Sequence, residues 1–221
     1  MKGVATQGQA LQQRRIGLTG GIASGKSTVG QLLSSHFGLP VLDADLYARQ
    51  ALAAGTDASA AVLARYGPAL RAGADSAVAG EALPAAAPAI DRAALGRIVF
   101  ADAAERQWLE RLIHPLVRQR FSAELARLGE APAVVLMIPL LFEAGLQELC
   151  SEVWLVSCDE ATQRRRLMAR DGLSAEAAGQ RLAAQWPLER KRALADVVIA
   201  NDGSRDDLRA EVRRALATRA V

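Results

Sequence analysis

The eight residues Gly20-Gly21-Ile22-Ala23-Ser24-Gly25-Lys26-Ser27 constrain this chain more than any other stretch, because they fill every fixed position of the pattern G-x-x-x-x-G-K-[ST]. Glycines in such a loop allow backbone angles that turn successive N–H groups inward, where they cradle phosphate oxygens. Lys26 then reaches the β- and γ-phosphates, and the Ser27 hydroxyl is placed to ligate Mg²⁺. The pattern acquires this meaning between a strand and a helix, and both flanks comply. Arg15–Thr19 is a short, half-apolar strand candidate. Ser27–Phe37 carries Val29, Leu32, Leu33 and Phe37 at helical spacing and is closed by Gly38 and Pro40. A helix starting near Lys26 also points its positive end at the bound phosphates. A nucleoside triphosphate is the expected ligand.

Val41-Leu42 forms a second short strand that delivers Asp43-Ala44-Asp45, completing a βαβ unit with parallel strands and a right-handed crossover. From Leu46 to about Arg127 the pattern is helical, with segments at Leu46–Ala54, Ala58–Tyr66, Arg92–Phe100 and Ala103–Leu128. A Gly/Ala/Pro stretch at Gly73–Pro88 interrupts them and reads as a flexible loop within a helical insertion. Strands return at Ala133–Ile138 and Glu152–Ser157, apolar enough to be buried on both faces, and again at Val197–Ala200. Helices are expected at Asp159–Asp171, Ser174–Gln185, Pro187–Leu194 and Ser204–Thr218, the last opened by Ser204 and Asp207 as a capping-box variant. Strands alternating with helices make the class α/β with a mostly parallel sheet.

Composition narrows the partners. With 221 residues, 51% of them hydrophobic and 23% charged, the chain is an ordinary globular one. A formal charge of only +3 and 4% aromatic residues argue against a nucleic-acid partner. The longest apolar run, Ala133–Phe142, is far below the roughly 20 residues a membrane span needs and is broken by Pro139, so no membrane role is expected. Met1–Arg15 is polar and unlike a secretory signal, which makes the cytoplasm the expected compartment. Cys150 and Cys158 match no metal or redox spacing and are expected as buried small hydrophobes. Only three of the 27 basic residues are lysines (Lys2, Lys26 and Lys191), so each invites inspection.

Asp43 and Asp45 stand at i and i+2 where the second strand ends, so a strand running through both would project their carboxylates from one face toward the phosphate loop. One can accept a proton from an attacking hydroxyl while the other orders Mg²⁺ or its water; alternatively, Asp45 only caps the following helix. Arg49, one turn on, can hold an anionic substrate group. The acid pair points to a kinase. A switch GTPase would carry D-x-x-G and N-K-x-D, and neither string occurs here.

Seven blocks together resemble the dephospho-coenzyme A kinase family: I-G-L-T-G-G-I-A-S-G-K-S-T (Ile16–Thr28), D-A-D-L-Y-A-R (Asp43–Arg49), I-D-R-A-A-L (Ile90–Leu95), L-I-H-P-L-V-R (Leu112–Arg118), P-L-L-F-E (Pro139–Glu143), Q-R-R-R-L-M-A-R (Gln163–Arg170) and A-D-V-V-I-A-N-D-G (Ala195–Gly203). They run in family order from Ile16 across nearly the whole chain. The resemblance implies a P-loop fold with a parallel five-stranded sheet, a helical substrate-binding insertion and a helical lid. It implies transfer of the γ-phosphate of ATP to the ribose 3′-hydroxyl of dephospho-coenzyme A, with Mg²⁺ as cofactor.

The same resemblance divides the chain into an extension at 1–14, a nucleotide-binding core at 15–56, 132–158 and 196–221, a coenzyme A-binding region at 57–131 and a lid at 159–195. Gly20, Gly21, Ile22, Ala23, Ser24, Gly25, Lys26, Ser27 and Thr28 would hold ATP, and Ser27 with Asp43 the metal. Asp45 matches the family's general base and Asp43 its companion. Among the lid arginines Arg164, Arg166 and Arg170, the last and then Arg166 are favoured as transition-state ligands, against the alternative of a solvated basic helix face. Asp43, Arg49, His114, Arg118 and Glu143 are candidates on the substrate side. His114 is alternatively structural, and Glu143 either orders the acceptor or caps a helix. Asn201 either lies by the adenine or forms a turn. Met137 stands where many P-loop proteins have a metal-binding Asp, which shifts that burden to Ser27 and the two acids. A monomer or weak homo-oligomer is expected.

Overall fold

The computed structural model describes residues 13–67, 70 and 89–218. They fall into two compact units, one running to Asp43 and resuming at Leu125, the other Ala44–Glu124. The first unit holds a sheet of five parallel strands in the order β2-β3-β1-β4-β5. These are β1 (Arg14–Gly20), β2 (Val41–Asp43), β3 (Ala133–Met137), β4 (Glu152–Ser157) and β5 (Val197–Ala200). Parallel sheets are covered on both faces, so their central strands are continuous apolar runs. All six residues of β4 are accordingly buried, as are the last five of β1. The strand positions follow the apolar runs of the sequence closely.

β1 lies between β3 and β4, with Ile16 opposite Val135 on one side and Glu152 on the other. The chain leaves β1 toward one side of the sheet and later returns to the other, so the carboxyl end of β1 is the point where strand order reverses. Such points open a crevice for ligands.

Helix α1 (Lys26–Ser35) and helix α9 (Arg205–Ala217) cover one face of the sheet. Val29 and Leu33 from α1 and Leu208, Val212 and Ala215 from α9 close over Ile16, Leu18, Val135, Trp154, Val156 and Ile199. α9 opens with the expected capping box: the Ser204 hydroxyl accepts from Asp207 N–H and the Asp207 carboxylate accepts from Ser204 N–H. Between the last two strands run α6 (Glu160–Asp171), α7 (Ala175–Ala183) and α8 (Leu188–Arg192), with α6 packed on α7 and α8 against β4. Asp159 and Ser174 cap the first two, each accepting from a main-chain N–H three residues on.

One carboxylate is buried inside the sheet. Glu152, at the start of β4, is 2% exposed, pairs with the Arg14 guanidinium and accepts from Trp154 Nε1 at 2.9 Å. A buried charge persists only when paired and hydrogen-bonded in this way.

The second unit contains α2 (Ala44–Ala51), α3 (Asp57–Tyr66), α4 (Arg92–Ala101) and most of α5 (Ala103–Arg127). Thr56 caps α3 and Asp91 caps α4. Val62, Leu70, Ile90 and Leu95 form its small core. Above that core Arg65 grips Glu105 with two bonds of 2.7 Å, Tyr66 donates to the same carboxylate at 2.6 Å, and the guanidinium lies 4.7 Å from the Trp108 ring centre. The bonds from Arg65 and Tyr66 hold the Glu105 carboxyl down to about 2.

Several details differ from the sequence expectation. The helix expected at Leu46–Ala54 begins at Ala44, so it takes in Asp45. Cys158 is buried, but Cys150 is only half-buried; desolvation still pushes its thiol up to about 12. Of Met1–Arg14 only Gln13 and Arg14 are described, and Arg14 is the first residue of β1. The Gly73–Pro88 stretch lies outside the described residues. Among the described residues no helix is long and apolar enough to cross a membrane.

Leu33 is fully buried, so Leu33→Ala is expected to lower unfolding stability by about 2–5 kcal/mol in urea titration. Glu105 titrates below its unfolded value, so its contribution is present above that value and is lost as pH falls toward about 2. The stability gap between the protein and Glu105→Gln is therefore expected to be larger in denaturation at pH 7 than at pH 3; an equal gap at both would contradict it.

Candidate active site

β1 ends at Gly20 and α1 begins at Lys26, and the backbone between them doubles back. Two residues take left-handed angles, Ala23 at φ 57° and Gly25 at φ 95°. Gly25 occupies the N-cap of α1 without a side-chain cap, and the first turn of the helix carries no acid. The first N–H groups of a helix have no partner within it, so this end retains its positive character and its donors.

The loop is gripped from three other elements. Asn201, just after β5 and 8% exposed, donates from Nδ2 to Ser24 O at 2.7 Å. Gln163 of α6 donates from Nε2 to Ile22 O at 2.8 Å, and Gln185, beyond α7, accepts from Ile22 N–H at 2.8 Å. A Cβ at Gly25 would collide with Asn201 Nδ2, which adds to the demand its positive φ already makes for glycine.

Arg166 lies beside this loop. Its Nη2 donates to Asn201 O at 3.1 Å, while Nη1 is buried and has no hydrogen-bond partner among the described residues. Ser24 Oγ is in the same condition. Buried polar atoms without partners are costly, and a guanidinium N–H and a hydroxyl beside a glycine-rich cradle are suited to phosphate oxygens. Arg170 is placed differently: its side chain is 58% exposed and pairs with Asp171 at 2.7 Å, and Asp171 also pairs with Arg181. Arg164 pairs with Glu160 at 2.7 Å. A cleft of about 860 Å³ opens here, lined in part by Gly21, Gln163, Arg164, Gln185, Trp186 and Arg192.

The remaining expected residues divide between the units. Lys26 and Gly21 to Ala23 are half-buried, while Ser27 and Thr28 are exposed at the start of α1. Asp43 is the half-buried last residue of β2, opposite Met137 of β3. Asp45, Arg49, His114 and Arg118 belong to the helical unit, with Asp45 in the first turn of α2, Arg49 in its last, and His114 and Arg118 one turn apart and half-buried on α5. Asp43 and Asp45 do not share a strand face, as their i, i+2 spacing suggested: β2 stops at Asp43 and the chain turns helical at Ala44. Glu143 is half-buried beyond β3; its Oε1 lies 2.7 Å from Lys191 Nζ and accepts from Trp186 N–H at 3.4 Å.

Three residues in these contacts escaped sequence reasoning. Gln163 stood inside a quoted block without a role, Gln185 had no pattern to mark it, and Lys191 was signalled only by the scarcity of lysine.

A glycine-rich loop at the carboxyl end of the central parallel strand, leading into an uncapped helix with a basic helix beside it, defines the class as a P-loop kinase. The family model for dephospho-CoA kinase matches residues 14–207, and the chain belongs to that family. The chain is 62% identical over 196 residues to the dephospho-CoA kinase of Synechococcus sp. (strain CC9605), covering 89% of this chain and 88% of that one. Among solved structures, TT1252 from Thermus thermophilus is 40% identical with a TM-score of 0.73, over 95% of this chain and all of that one. The dephospho-CoA kinase from Campylobacter jejuni is 26% identical with a TM-score of 0.63, over 93% of this chain and 96% of that one.

Gly25→Ala is expected to weaken ATP binding by about tenfold or more, since a left-handed non-glycine residue alone costs roughly 1–2 kcal/mol and its Cβ displaces the Asn201 amide. Titration calorimetry at constant Mg²⁺ measures it; unchanged affinity would contradict the loop geometry.

Proposed function

We infer that the protein transfers the γ-phosphate of ATP to the ribose 3′-hydroxyl of dephospho-coenzyme A, giving coenzyme A and ADP, the last step of coenzyme A synthesis. The observation that carries this reading is the family match over residues 14–207, within which the phosphate loop is complete and braced.

Phosphoryl transfer needs positioning and neutralisation of charge more than covalent participation by the protein. The loop N–H groups and the uncapped end of α1 take up charge on the phosphates, and Lys26 adds a cation. Arg166 already stands at the loop with one guanidinium nitrogen unpartnered among the described residues. Arg170 joins it by exchanging Asp171 for a phosphate oxygen, a small loss for an exposed pair. Asp45, in the first turn of α2, acts as general base on the acceptor hydroxyl.

The Ser27 hydroxyl and the Asp43 carboxylate are hard oxygen donors, a chemistry that suits Mg²⁺. The ion would supply further neutralisation of the phosphate oxygens. The region 57–131, with Arg49, His114, Arg118 and Glu143, is assigned to the acceptor, and 159–195 to the lid. A monomer or weak homo-oligomer in the cytoplasm, without a nucleic-acid partner, completes the reading.

ADP release from Mg-ATP is expected only when dephospho-coenzyme A is added, with coenzyme A as product and with adenosine and AMP inert. Release with another acceptor would overturn the substrate. Asp45→Asn is expected to cut turnover by about 10²–10⁴-fold while ATP affinity is kept; a variant that turns over normally would remove Asp45 from the mechanism.

A further inference from the structure

Ile22 sits in the phosphate loop, and side chains from outside the loop hold both of its main-chain polar groups. Its N–H donates to Gln185 Oε1 and its carbonyl accepts from Gln163 Nε2, each at 2.8 Å. These two groups belong to different peptide planes, one on each side of Ile22, so the bonds fix the rotation of both. The second plane also carries the N–H of Ala23, which is held at φ 57°, a region that residues other than glycine rarely enter unaided. Turning that plane would turn the Ala23 N–H with it. Gln163 is 4% exposed and passes so close to Gly21 that a Cβ there would strike its Nε2.

Gln185 has no helix to hold it, since α7 ends at Ala183. Its neighbours are pinned instead. Trp186 N–H donates to Glu143 Oε1, and Lys191 Nζ, fully buried, lies 2.7 Å from the same oxygen as an ion pair without an aligned hydrogen bond. Lys191 N–H donates to Pro187 O, closing the short turn between them. A lysine with no exposure is retained only where a partner charge compensates it. Here that compensation ties both ends of the 186–191 segment to the loop after β3.

We propose that Gln163 and Gln185 are positioning residues that orient the peptide planes of the phosphate loop around Ile22 for nucleotide binding, and that the buried Lys191–Glu143 pair acts on the loop by holding Gln185. This rests on the reading of the loop as a nucleotide site. Lys191 and Glu143 make no contact with ADP in this scheme, so their effect on ADP binding must pass through Gln185.

The test is calorimetric titration of ADP with Mg²⁺ into the full chain, with thermal melts confirming that each variant is folded. Gln163→Leu and Gln185→Leu are each expected to weaken ADP binding by about three- to tenfold, the worth of one ordinary hydrogen bond. Lys191→Met is expected to weaken it in the parent protein and to have no further effect in the Gln185→Leu background, a dependence that general destabilisation would not produce. Should Lys191→Met fail to fold, Lys191→Met with Glu143→Leu removes both charges together and is read in the same two backgrounds. Parent-like ADP affinity in the glutamine variants, or a Lys191→Met effect undiminished in Gln185→Leu, would overturn the proposal while leaving the nucleotide site standing. Failure of the parent protein itself to bind ADP would overturn the nucleotide reading and this proposal together.

Discussion

A stretch of backbone that turns its own N–H groups toward a ligand gives up the hydrogen bonds that would otherwise hold it in shape. The loop from Gly20 to Lys26 meets that constraint with outside help, because Ala23 and Gly25 have left-handed angles and only Gly25 adopts such an angle without strain. Amides from Asn201, Gln163 and Gln185 supply the missing bonds from three separate places in the chain. The braces of the loop thus come from the ends or neighbours of β5, α6 and α7. The position of Arg166 follows from the same arrangement, since its Nη2 donates to Asn201 O.

The sheet makes this bracing possible. β1 is the middle strand, and with β3 on one side and β4 on the other its carboxyl end opens where strand order reverses. β4 and β5 pair from Trp154 opposite Val197 to Ser157 opposite Ala200, which brings Asn201 N–H to Ser157 O at 2.8 Å and so delivers the Asn201 amide to Ser24. At the start of β4 the chain buries Glu152 under Arg14. The ionic contact lies at the amino ends of the strands and the ligand cradle at their carboxyl ends, so the apolar core between them separates the two charged regions.

Two kinds of ion pair occur in the 159–195 segment, one exposed and one buried. Arg170–Asp171 is exposed, and such pairs are worth about 0–1 kcal/mol, so the arginine can exchange its partner at small cost. Lys191–Glu143 is buried on the lysine side, where removing one partner typically costs about 3–5 kcal/mol. Arg170 therefore exchanges its partner more readily than Lys191, whose pair holds the segment to the loop after β3. Arg192, donating to Ser157 Oγ at 3.0 Å, reinforces that fixed end.

Much of this was legible in the residues alone. The strand at Glu152–Ser157, the helix of Ala103–Arg127, the capping box at Ser204 and the phosphate loop all depend on neighbours a few positions apart, and such patterns survive in the sequence. The helix around Asp45 was harder, because Asp43-Ala44-Asp45 suits a strand end as well as a helix start, and the choice falls to α2. The braces of the loop were not legible. They join residues 141, 163 and 177 positions apart, and an isolated glutamine or asparagine carries no local sign of the carbonyl or N–H it will meet. The sequence by itself determined that a phosphate loop would form at the end of a buried strand. Only the tertiary structure decided which distant amides would hold that loop open, because hydrogen bonds between side chain and backbone are selected by proximity in the folded protein and not by spacing along the chain.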